Sequence, residues 1–303
     1  MVVPVLDASR FVGDSPTDRF KFAEELLDSL QKHGFVRLRD HGISDETVEE
    51  MFRLVRQPSR TKISAVYEKI SGGGLTTDSA DCKEHFDQGP ANDEQFPNKW
   101  PSEVDLPNFR TTMENFYLLA ETVSLYILEA LEMALKLPQS SFLNMMVHNA
   151  SELRLNHYPA ISIADMREKN INRTSPHFDL GVITLLFQDG IGGLEIQDRD
   201  RPGSFMPVEP SVQSEMMVNV AETFLRWTND VVSAGLHRVT IPESLKEADG
   251  GLIEERFSVV YLCKADRDAS VAPLKEFVTE KGSKYGHISA LEYHQQRLGL
   301  AYQ

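Results

Sequence analysis

Two segments of this chain carry side chains that could bind one metal ion together. The segment TSPHFDLG places His177 and Asp179 two residues apart, directly before an apolar run that alternates like a strand. Alternate residues of a strand project from one face, so these two side chains would point into the same space. His237 lies in SAGLHRVTIP, a second strand that a barrel could bring alongside. Two histidines and one carboxylate form the facial triad that holds non-haem Fe(II) with open coordination positions; the alternative is a strand end with two solvated polar residues.

A later segment could bind an anion. The sequence ERFSVVYL places Arg256 and Ser258 on the same face of the strand that follows His237. A guanidinium beside a hydroxyl can hold a carboxylate by paired, charge-assisted hydrogen bonds, which is what anchoring a dicarboxylic keto acid requires. The alternative is a surface arginine that pairs with Glu254 or Glu255.

The composition argues against several classes of function. The chain has 303 residues, of which 41% are apolar, and its net charge of −15 does not suit binding to nucleic acid by phosphate neutralisation. Cys82 and Cys263 lie far apart, so neither a disulfide framework nor a thiolate zinc site is indicated. The N-terminus lacks a secretory pattern, and the most apolar stretch, from Tyr117, is interrupted by glutamates. We expect a cytoplasmic protein that acts on a small molecule, without a nucleic-acid or membrane partner; the oligomeric state stays open.

The N-terminal half of the chain favours helices. After a short strand, VVPVLD, residues 18–33 show helical spacing that stops at Gly34, and FVRLRDHG then alternates like a strand. Residues 56–107 are polar and rich in Gly, Asp and Pro, which predicts long loops over a pocket, with disorder as the alternative. The stretch from Tyr117 is predicted to form an amphipathic helix that packs through four leucines, at positions 118, 125, 128 and 135.

From Glu152 onward the pattern changes to many short strands separated by turn residues, which favours an antiparallel sandwich or barrel. The predicted strands are LRLNHYP, VITLLFQ, LEIQ, MMVNV, FLRW, LHRVT and RFSVVYLC. One closing helix is predicted at the C-terminus, over YGHISALEYHQQRLGLAY.

The three motifs HFD, HRV and RFS, in this order, resemble those of the Fe(II)- and 2-oxoglutarate-dependent oxygenases of the isopenicillin N synthase-like family, and in particular its fungal small-molecule tailoring members. The resemblance extends over nearly the whole chain. It is carried further by VPVLDAS, HGFVRLRDHGIS, DCKEHFDQGP, FPNKWP, LRLNHYP, LLFQDGIGGLEI, NVAETFLRWTND and YGHISALEYHQQRL.

The resemblance implies a mainly β fold with flanking helices, built on a double-stranded β-helix, or jelly-roll, core. In this chain the N-terminal α/β region with substrate-covering loops would span 1–110, the supporting helices 111–150, the oxygenase core 151–270 and the C-terminal helix 271–303, together forming one compact unit.

The resemblance also implies roles for individual residues. Fe(II) would be bound by His177, Asp179 and His237. The cosubstrate 2-oxoglutarate would be held at its distal carboxylate by Arg256 and Ser258. Its pocket would be lined by Asn156 and Tyr158. O₂ would be the second cosubstrate.

Three features depart from the family pattern. Phe178 stands in the middle of the metal triplet, where the family often has threonine, and Ala221 with Glu222 replaces a usual Gly-Asp turn, which we interpret as a structural variation only. The segment MFRLVRQPSRTKIS is shorter than its family counterpart, in a region that helps to cover the substrate. Substrate identity is therefore the property that these changes leave open.

Taken together, the motifs predict a 2-oxoglutarate-dependent dioxygenase that oxidises an unactivated C–H bond of a small, aromatic or polyketide-like molecule in secondary metabolism. The outcome would be hydroxylation, desaturation or rearrangement. Arg154 and Phe178 are the candidate substrate-binding residues; alternatively, Phe178 packs in the core and Arg154 pairs with an acidic neighbour. The alternative functions are a family oxidase that uses no 2-oxoglutarate, and a metal-free binding protein on the same fold.

Overall fold

A computed structural model describes residues 2–60, 68–70 and 80–301 of the chain. The glycine-rich part of the predicted loop region, SGGGLTTD, lies outside the described residues, as do residues 61–67. No helix in the described part is long and apolar enough to cross a bilayer.

The described residues form sixteen strands and seven α-helices. The strands are β1 Val5–Asp7, β2 Phe35–Arg39, β3 Glu68–Ile70, β4 Ala80–Asp81, β5 Lys83–Gln88, β6 Glu152–Tyr158, β7 Ile161–Ser162, β8 Ile171–Asn172, β9 Thr174–His177, β10 Ile183–Gln188, β11 Leu194–Gln197, β12 Phe205–Pro207, β13 Met216–Val220, β14 His237–Val239, β15 Leu252–Ile253 and β16 Arg256–Cys263. The helices are α1 Ser9–Val12, α2 Pro16–His33, α3 Asp45–Arg60, α4 Phe109–Ala134, α5 Ile163–Glu168, α6 Glu222–Trp227 and α7 Ala290–Ala301.

Two sheets carry the architecture. The large sheet has eight strands in the order β1-β2-β13-β10-β16-β6-β5-β3, and the small sheet has four in the order β12-β11-β14-β9. Apart from the parallel pair β1 and β2, the neighbouring strands of both sheets run antiparallel. Strands from the N-terminal region therefore complete the same large sheet as strands from the second half of the chain.

The two faces of the large sheet pack against different partners because side chains alternate along each strand. One face, with Leu155, Val259 and Leu185, belongs to the main core that also contains the buried residues of α2, α3 and α4. The other face, with Tyr158 and Met217, packs with residues of the small sheet in a separate cluster. The space between the two sheets is therefore the interior in which side chains of both can meet.

A tight glycine contact joins α2 to the small sheet. The helix begins after Ser15, whose hydroxyl accepts the Asp18 backbone N–H, and ends at Gly34, as predicted. Gly34 is left-handed with φ 76°, and a Cβ added there would lie 2.8 Å from the Cα of Gly235. Only glycine tolerates both constraints. This close packing fixes the chain two residues before His237.

Several predictions about individual elements are wrong. The FLRW segment is not a strand but part of α6, because the short apolar run continues a helical turn that begins at Glu222. The region predicted as loops contains β5, which pairs with β6 inside the large sheet. Of the four leucines predicted to pack, those at 125, 128 and 135 contact the main core as expected, whereas Leu118 is exposed and Phe116 and Tyr117 are buried instead.

The ends of two predicted elements also differ. The C-terminal helix begins only at Ala290, and residues 271–289 contain a short 3-10 helix at Lys275–Phe277 instead. Strand β9 ends at His177, so Asp179 lies beyond the strand. Strand alternation therefore does not by itself explain how the side chains of His177 and Asp179 meet.

Candidate metal centre and cosubstrate pocket

The register of the large sheet places most of the candidate residues on its interior face. Arg256 pairs with Tyr158 and Ser258 with Asn156, across β16 and β6. Arg154 lies one row further along the same face. The sheet thus presents successive polar rows to the space beneath the small sheet.

The structure brings His177, Asp179 and His237 together at one end of this interior. Their ligand atoms all lie within 4.8 Å of one another. His177 ends β9 and His237 begins β14, and the two residues are direct partners across these strands, with ring centroids 4.2 Å apart. The Nε2 atom of His177 lies 3.8 Å from Oδ1 of Asp179. One carboxylate oxygen and two imidazole nitrogens therefore face a common point.

Hydrogen bonds select which atoms face that point. The Nδ1 atoms of His177 and His237 contact the carbonyl oxygens of Ser175 and Gly235, at 2.9 and 3.0 Å. Since Nδ1 is engaged in both rings, Nε2 is the free ligand atom of each, which is the usual way in which a carbonyl fixes a metal-binding histidine.

The Asp179 carboxylate is oriented in the same manner. Its Oδ2 accepts the Thr184 hydroxyl at 2.7 Å and the Asn219 amide at 2.8 Å, which leaves Oδ1 free. Burial would raise the pKa of Asp179, but the two histidines and these two hydrogen bonds hold it well below its ordinary value. Burial, followed by the electrostatic effect of the neighbouring His237, lowers the pKa of His177 to about 3. At neutral pH the group is thus a carboxylate with a neutral imidazole, a donor set suited to a divalent cation.

Arg256 lies deeper in the same interior. Its side chain is 1% exposed, its Nη2 donates to Oε1 of Gln188 at 2.9 Å, and its guanidinium lies 4.9 Å from the centre of the Tyr158 ring. Its Nε and Nη1 have no hydrogen-bond partner among the described residues. Unpaired donors on a buried cation are costly, so the arrangement fits a carboxylate at this position. The alternative of a surface arginine paired with Glu254 or Glu255 is wrong.

The other two cosubstrate candidates line the same space. The Asn156 amide donates to the Ser258 hydroxyl at 3.2 Å, and the Asn156 Oδ1 has no partner among the described residues. Burial would raise the pKa of Tyr158, but the positive charges of Arg256 and Lys83 outweigh it and lower that pKa. The pocket is therefore electropositive around Tyr158.

Comparison with known proteins identifies the family. The model of the 2OG-Fe(II) oxygenase superfamily matches residues 150–265, and the model described as "non-haem dioxygenase in morphine synthesis N-terminal" matches residues 3–103. The chain is 42% identical to the 2-oxoglutarate-dependent dioxygenase phqC of Penicillium fellutanum, over 98% of this chain and 94% of that protein. The chain belongs to the 2OG-Fe(II) oxygenase superfamily.

Further relatives agree with this assignment. The 2-oxoglutarate-dependent dioxygenase ecdK of Aspergillus rugulosus is 40% identical over the full length of both chains. The crystal structure of a full-length Neurospora crassa protein in complex with alpha-KG and thymine superposes with a TM-score of 0.87 at 26% identity, covering 99% of this chain and 97% of that one. The protein is a 2-oxoglutarate-dependent dioxygenase, with Fe(II) as cofactor and 2-oxoglutarate and O₂ as cosubstrates.

The two candidate substrate residues of this oxygenase differ in their surroundings. Arg154 donates from Nε and Nη2 to the two oxygens of Asp87, at 2.7 and 2.6 Å, so its charge is already paired. Phe178 is half-buried between the two metal-site residues of its segment. The structure thus pairs Arg154 with an acidic neighbour, as one of the two sequence-based interpretations expects.

A cavity of about 660 Å³ opens beside the oxygenase metal site. It lies between β5, residues 89–101 and α7, and Trp100 and Phe86 contribute aromatic walls. Leu180 and Gly181, which directly follow Asp179, are among its lining residues, whereas none of the three metal-site residues is. The cavity therefore adjoins the metal site without containing it.

Sequence reasoning missed the residues that orient the metal site. Thr184 and Gln188 are the two polar residues of the otherwise apolar strand β10, where Gln188 holds Arg256, and Asn219 is the polar residue of the otherwise apolar β13. Their polarity in buried runs is the only sequence signal. By contrast, strand alternation predicts that His157 is not a ligand, and His157 stacks on Phe257, on the opposite side of the strand.

Proposed function

We propose that this dioxygenase oxidises an unactivated C–H bond of a small aromatic or polyketide-like molecule in secondary metabolism, in the cytoplasm. The observation that carries the proposal is the shared interior of the two sheets. It contains both a two-histidine, one-carboxylate triad and a buried guanidinium with two unpaired donors. We take the two packed sheets to be the double-stranded β-helix core, with the helices as its flanks.

The metal would be held by Nε2 of His177, Nε2 of His237 and Oδ1 of Asp179, the three atoms that internal hydrogen bonds leave free. When bound, Fe(II) would activate O₂, which is the oxidant: one oxygen atom would enter the succinate that forms as 2-oxoglutarate loses CO₂, and the other would oxidise the substrate. Three ligands on one face leave positions for other groups, as this chemistry requires.

The distal carboxylate of 2-oxoglutarate would accept a hydrogen bond from one of the two unpaired donors of Arg256, Nε or Nη1, with the Ser258 hydroxyl beside it. Asn156 and Tyr158 would form the wall of this pocket, where Tyr158 packs under the guanidinium. Gln188 accepts a hydrogen bond from Nη2 of Arg256, so the guanidinium is held in position before the keto acid binds. Such preorganisation lowers the entropy lost on binding.

The substrate would enter through the cavity beside Leu180. Its aromatic walls, Trp100 and Phe86, favour a flat ring that can stack on them. The thymine complex of the Neurospora crassa relative is consistent with a ring-shaped substrate in this fold. Phe178 and Arg154 would border the substrate at the metal end. Because Asp87 neutralises Arg154, an added hydrogen-bond acceptor on the substrate suits this position better than a full negative charge.

The test is succinate release from the Fe(II)-loaded enzyme in air, with a panel of aromatic and aliphatic small molecules. We expect aromatic compounds to stimulate release, and Arg154→Ala and Phe178→Ala each to weaken that stimulation while the KM for 2-oxoglutarate stays nearly unchanged. If aliphatic compounds alone stimulate release, the aromatic substrate class is wrong. If both variants turn over normally with only lower melting temperatures, the two residues have no substrate role.

A further inference from the structure

A second arginine is buried near the proposed cosubstrate pocket. Arg173 lies between β8 and β9 and is 0% exposed. Its Nη2 donates to the carbonyl oxygens of Glu254 and Pro159, the latter at 3.4 Å. Its Nε and Nη1 have no hydrogen-bond partner among the described residues. Arg173 thus repeats the unusual feature of Arg256, a buried guanidinium with two unpaired donors.

The backbone contacts of Arg173 place it at the same end of the sheet as Arg256. Pro159 directly follows Tyr158, and Glu254 precedes Arg256 by two residues. Arg256 and Tyr158 are themselves partners across β16 and β6. Burial, together with the positive charge of Arg256, lowers the pKa of Arg173 to about 10. The two guanidiniums are therefore close enough to influence each other electrostatically.

The surrounding acidic groups do not pair with these two arginines. The nearby carboxylate of Asp189 raises the pKa of Arg173, but its two oxygens already accept backbone N–H groups, from Ile191 at 3.2 Å and Phe257 at 2.6 Å. A third cation, Lys83, also acts on Tyr158, but its Nζ lies 3.9 Å from Oδ2 of Asp81. Arg173 and Arg256 are thus the cations at this end of the interior that form no ion pair among the described residues.

Two buried like charges with unpaired donors destabilise the protein unless an anion joins them. Contacts with two carbonyls explain the position of Arg173 but leave its Nε and Nη1 unexplained. We propose that Arg173 is a second guanidinium for the distal carboxylate of 2-oxoglutarate, and that with Arg256 it makes the pocket selective for dicarboxylic keto acids. This inference rests on the proposed function of Arg256.

The test compares two keto acids that differ only at the distal end. Binding of 2-oxoglutarate and of 2-oxopentanoate, which has five carbons but no distal carboxylate, is measured by anaerobic calorimetry on the Fe(II)-loaded full chain. We expect Arg173→Met to weaken 2-oxoglutarate about tenfold or more, as for a lost charge-assisted hydrogen bond, and to leave 2-oxopentanoate unchanged. Arg173→Lys, which keeps the charge, should lie between wild type and Arg173→Met.

Arg226→Met is the matched control. Arg226 also donates to two backbone carbonyls, of Val271 and Gly286, but lies on α6 outside the pocket. Arg226→Met should leave the ratio of the affinities for 2-oxoglutarate and 2-oxopentanoate unchanged. This ratio does not depend on how much of the protein is folded.

The inference is overturned if wild type binds 2-oxoglutarate more tightly than 2-oxopentanoate and both Arg173 variants keep that ratio. It is also overturned if Arg226→Met changes the ratio as much as Arg173→Met does. Failure of the proposed function looks different, because wild type itself would then show no preference for 2-oxoglutarate.

Discussion

The hydrogen bonds to Asp179 offer a sharp test of how the metal site is built. Thr184→Val removes one hydroxyl and keeps the shape of the side chain, and Asn219→Leu removes the amide. Each change deletes one of the two hydrogen bonds to Oδ2, so the carboxylate is held by a single contact. We expect both variants to bind Fe(II) more weakly because the free Oδ1 is no longer fixed in position.

The size of the effect follows from the contact. A hydrogen bond to a charged group contributes about 1.5–3 kcal/mol. Partners of metal ligands change metal affinity by about 10–100-fold, which corresponds to roughly 1.4–2.8 kcal/mol. The two estimates agree, so each single variant should lose about one to two orders of magnitude in Fe(II) affinity. The double variant should lose less than the sum, since both groups act on one oxygen.

Fe(II) affinity is measured anaerobically by competition with a coloured chelator. The matched control is Thr228→Val, because Thr228 is fully buried and donates its hydroxyl to the Phe224 carbonyl at 3.0 Å, away from the site. The control should lower stability without changing Fe(II) affinity. If Thr184→Val binds Fe(II) as tightly as Thr228→Val, the orienting role assigned to Thr184 is incorrect.

Three further outcomes are expected. Arg256→Ala should raise the KM for 2-oxoglutarate about thirtyfold or more, equivalent to about 2 kcal/mol, and an unchanged KM would contradict the assignment of Arg256 to the distal carboxylate. Asp87→Asn should lower the free energy of unfolding by about 1–2 kcal/mol in denaturant titrations, because Arg154, which is 25% exposed, loses the carboxylate that accepts two of its hydrogen bonds. Glu114→Gln should cost less than about 0.5 kcal/mol, because its partner Arg110 is 52% exposed and makes one hydrogen bond to it; equal losses would contradict this. Burial and the charge of Arg154 lower the pKa of His85 to about 4, so as pH falls from about 6.5 towards 4 the unfolded chain is protonated before the folded protein and the folded state loses stability. Between pH 7 and pH 5 the free energy of unfolding of wild type should therefore fall by about 2 kcal/mol more than that of His85→Gln. Parallel plots of unfolding free energy against pH for the two proteins would refute the assignment.

The candidate site could be read from the sequence where distinctive residues stand close together. His177 with Asp179, and Arg256 with Ser258, are each two residues apart, and a short strand pattern surrounds them. Thr184 and Asn219 lie 5 and 40 residues from Asp179, so only the folded sheet shows that they share its Oδ2.

The Arg154–Asp87 pair, strand β5 and helix α6 could not be predicted because each depends on contacts that a short sequence segment does not show. The partner of Arg154, Asp87, lies 67 residues earlier, in a region whose polarity favours loops. Strand β5 in that region was missed because its alternating segment is short and has few apolar residues. The strand is stabilised by its pairing with β6, which the sequence of the segment does not show. The FLRW segment is too short for its period to separate helix from strand, and the preceding Glu222 in the first turn decides for the helix.

The central claim is that the triad and Arg256 together support 2-oxoglutarate turnover. It is tested most directly by release of labelled CO₂ from 2-oxoglutarate labelled at carbon 1, in air, with and without Fe(II). The account predicts Fe(II)-dependent release from wild type and none from His237→Ala, with circular dichroism showing that the variant is folded. Release that is equal in wild type and His237→Ala, or no Fe(II)-dependent release from wild type, would contradict it.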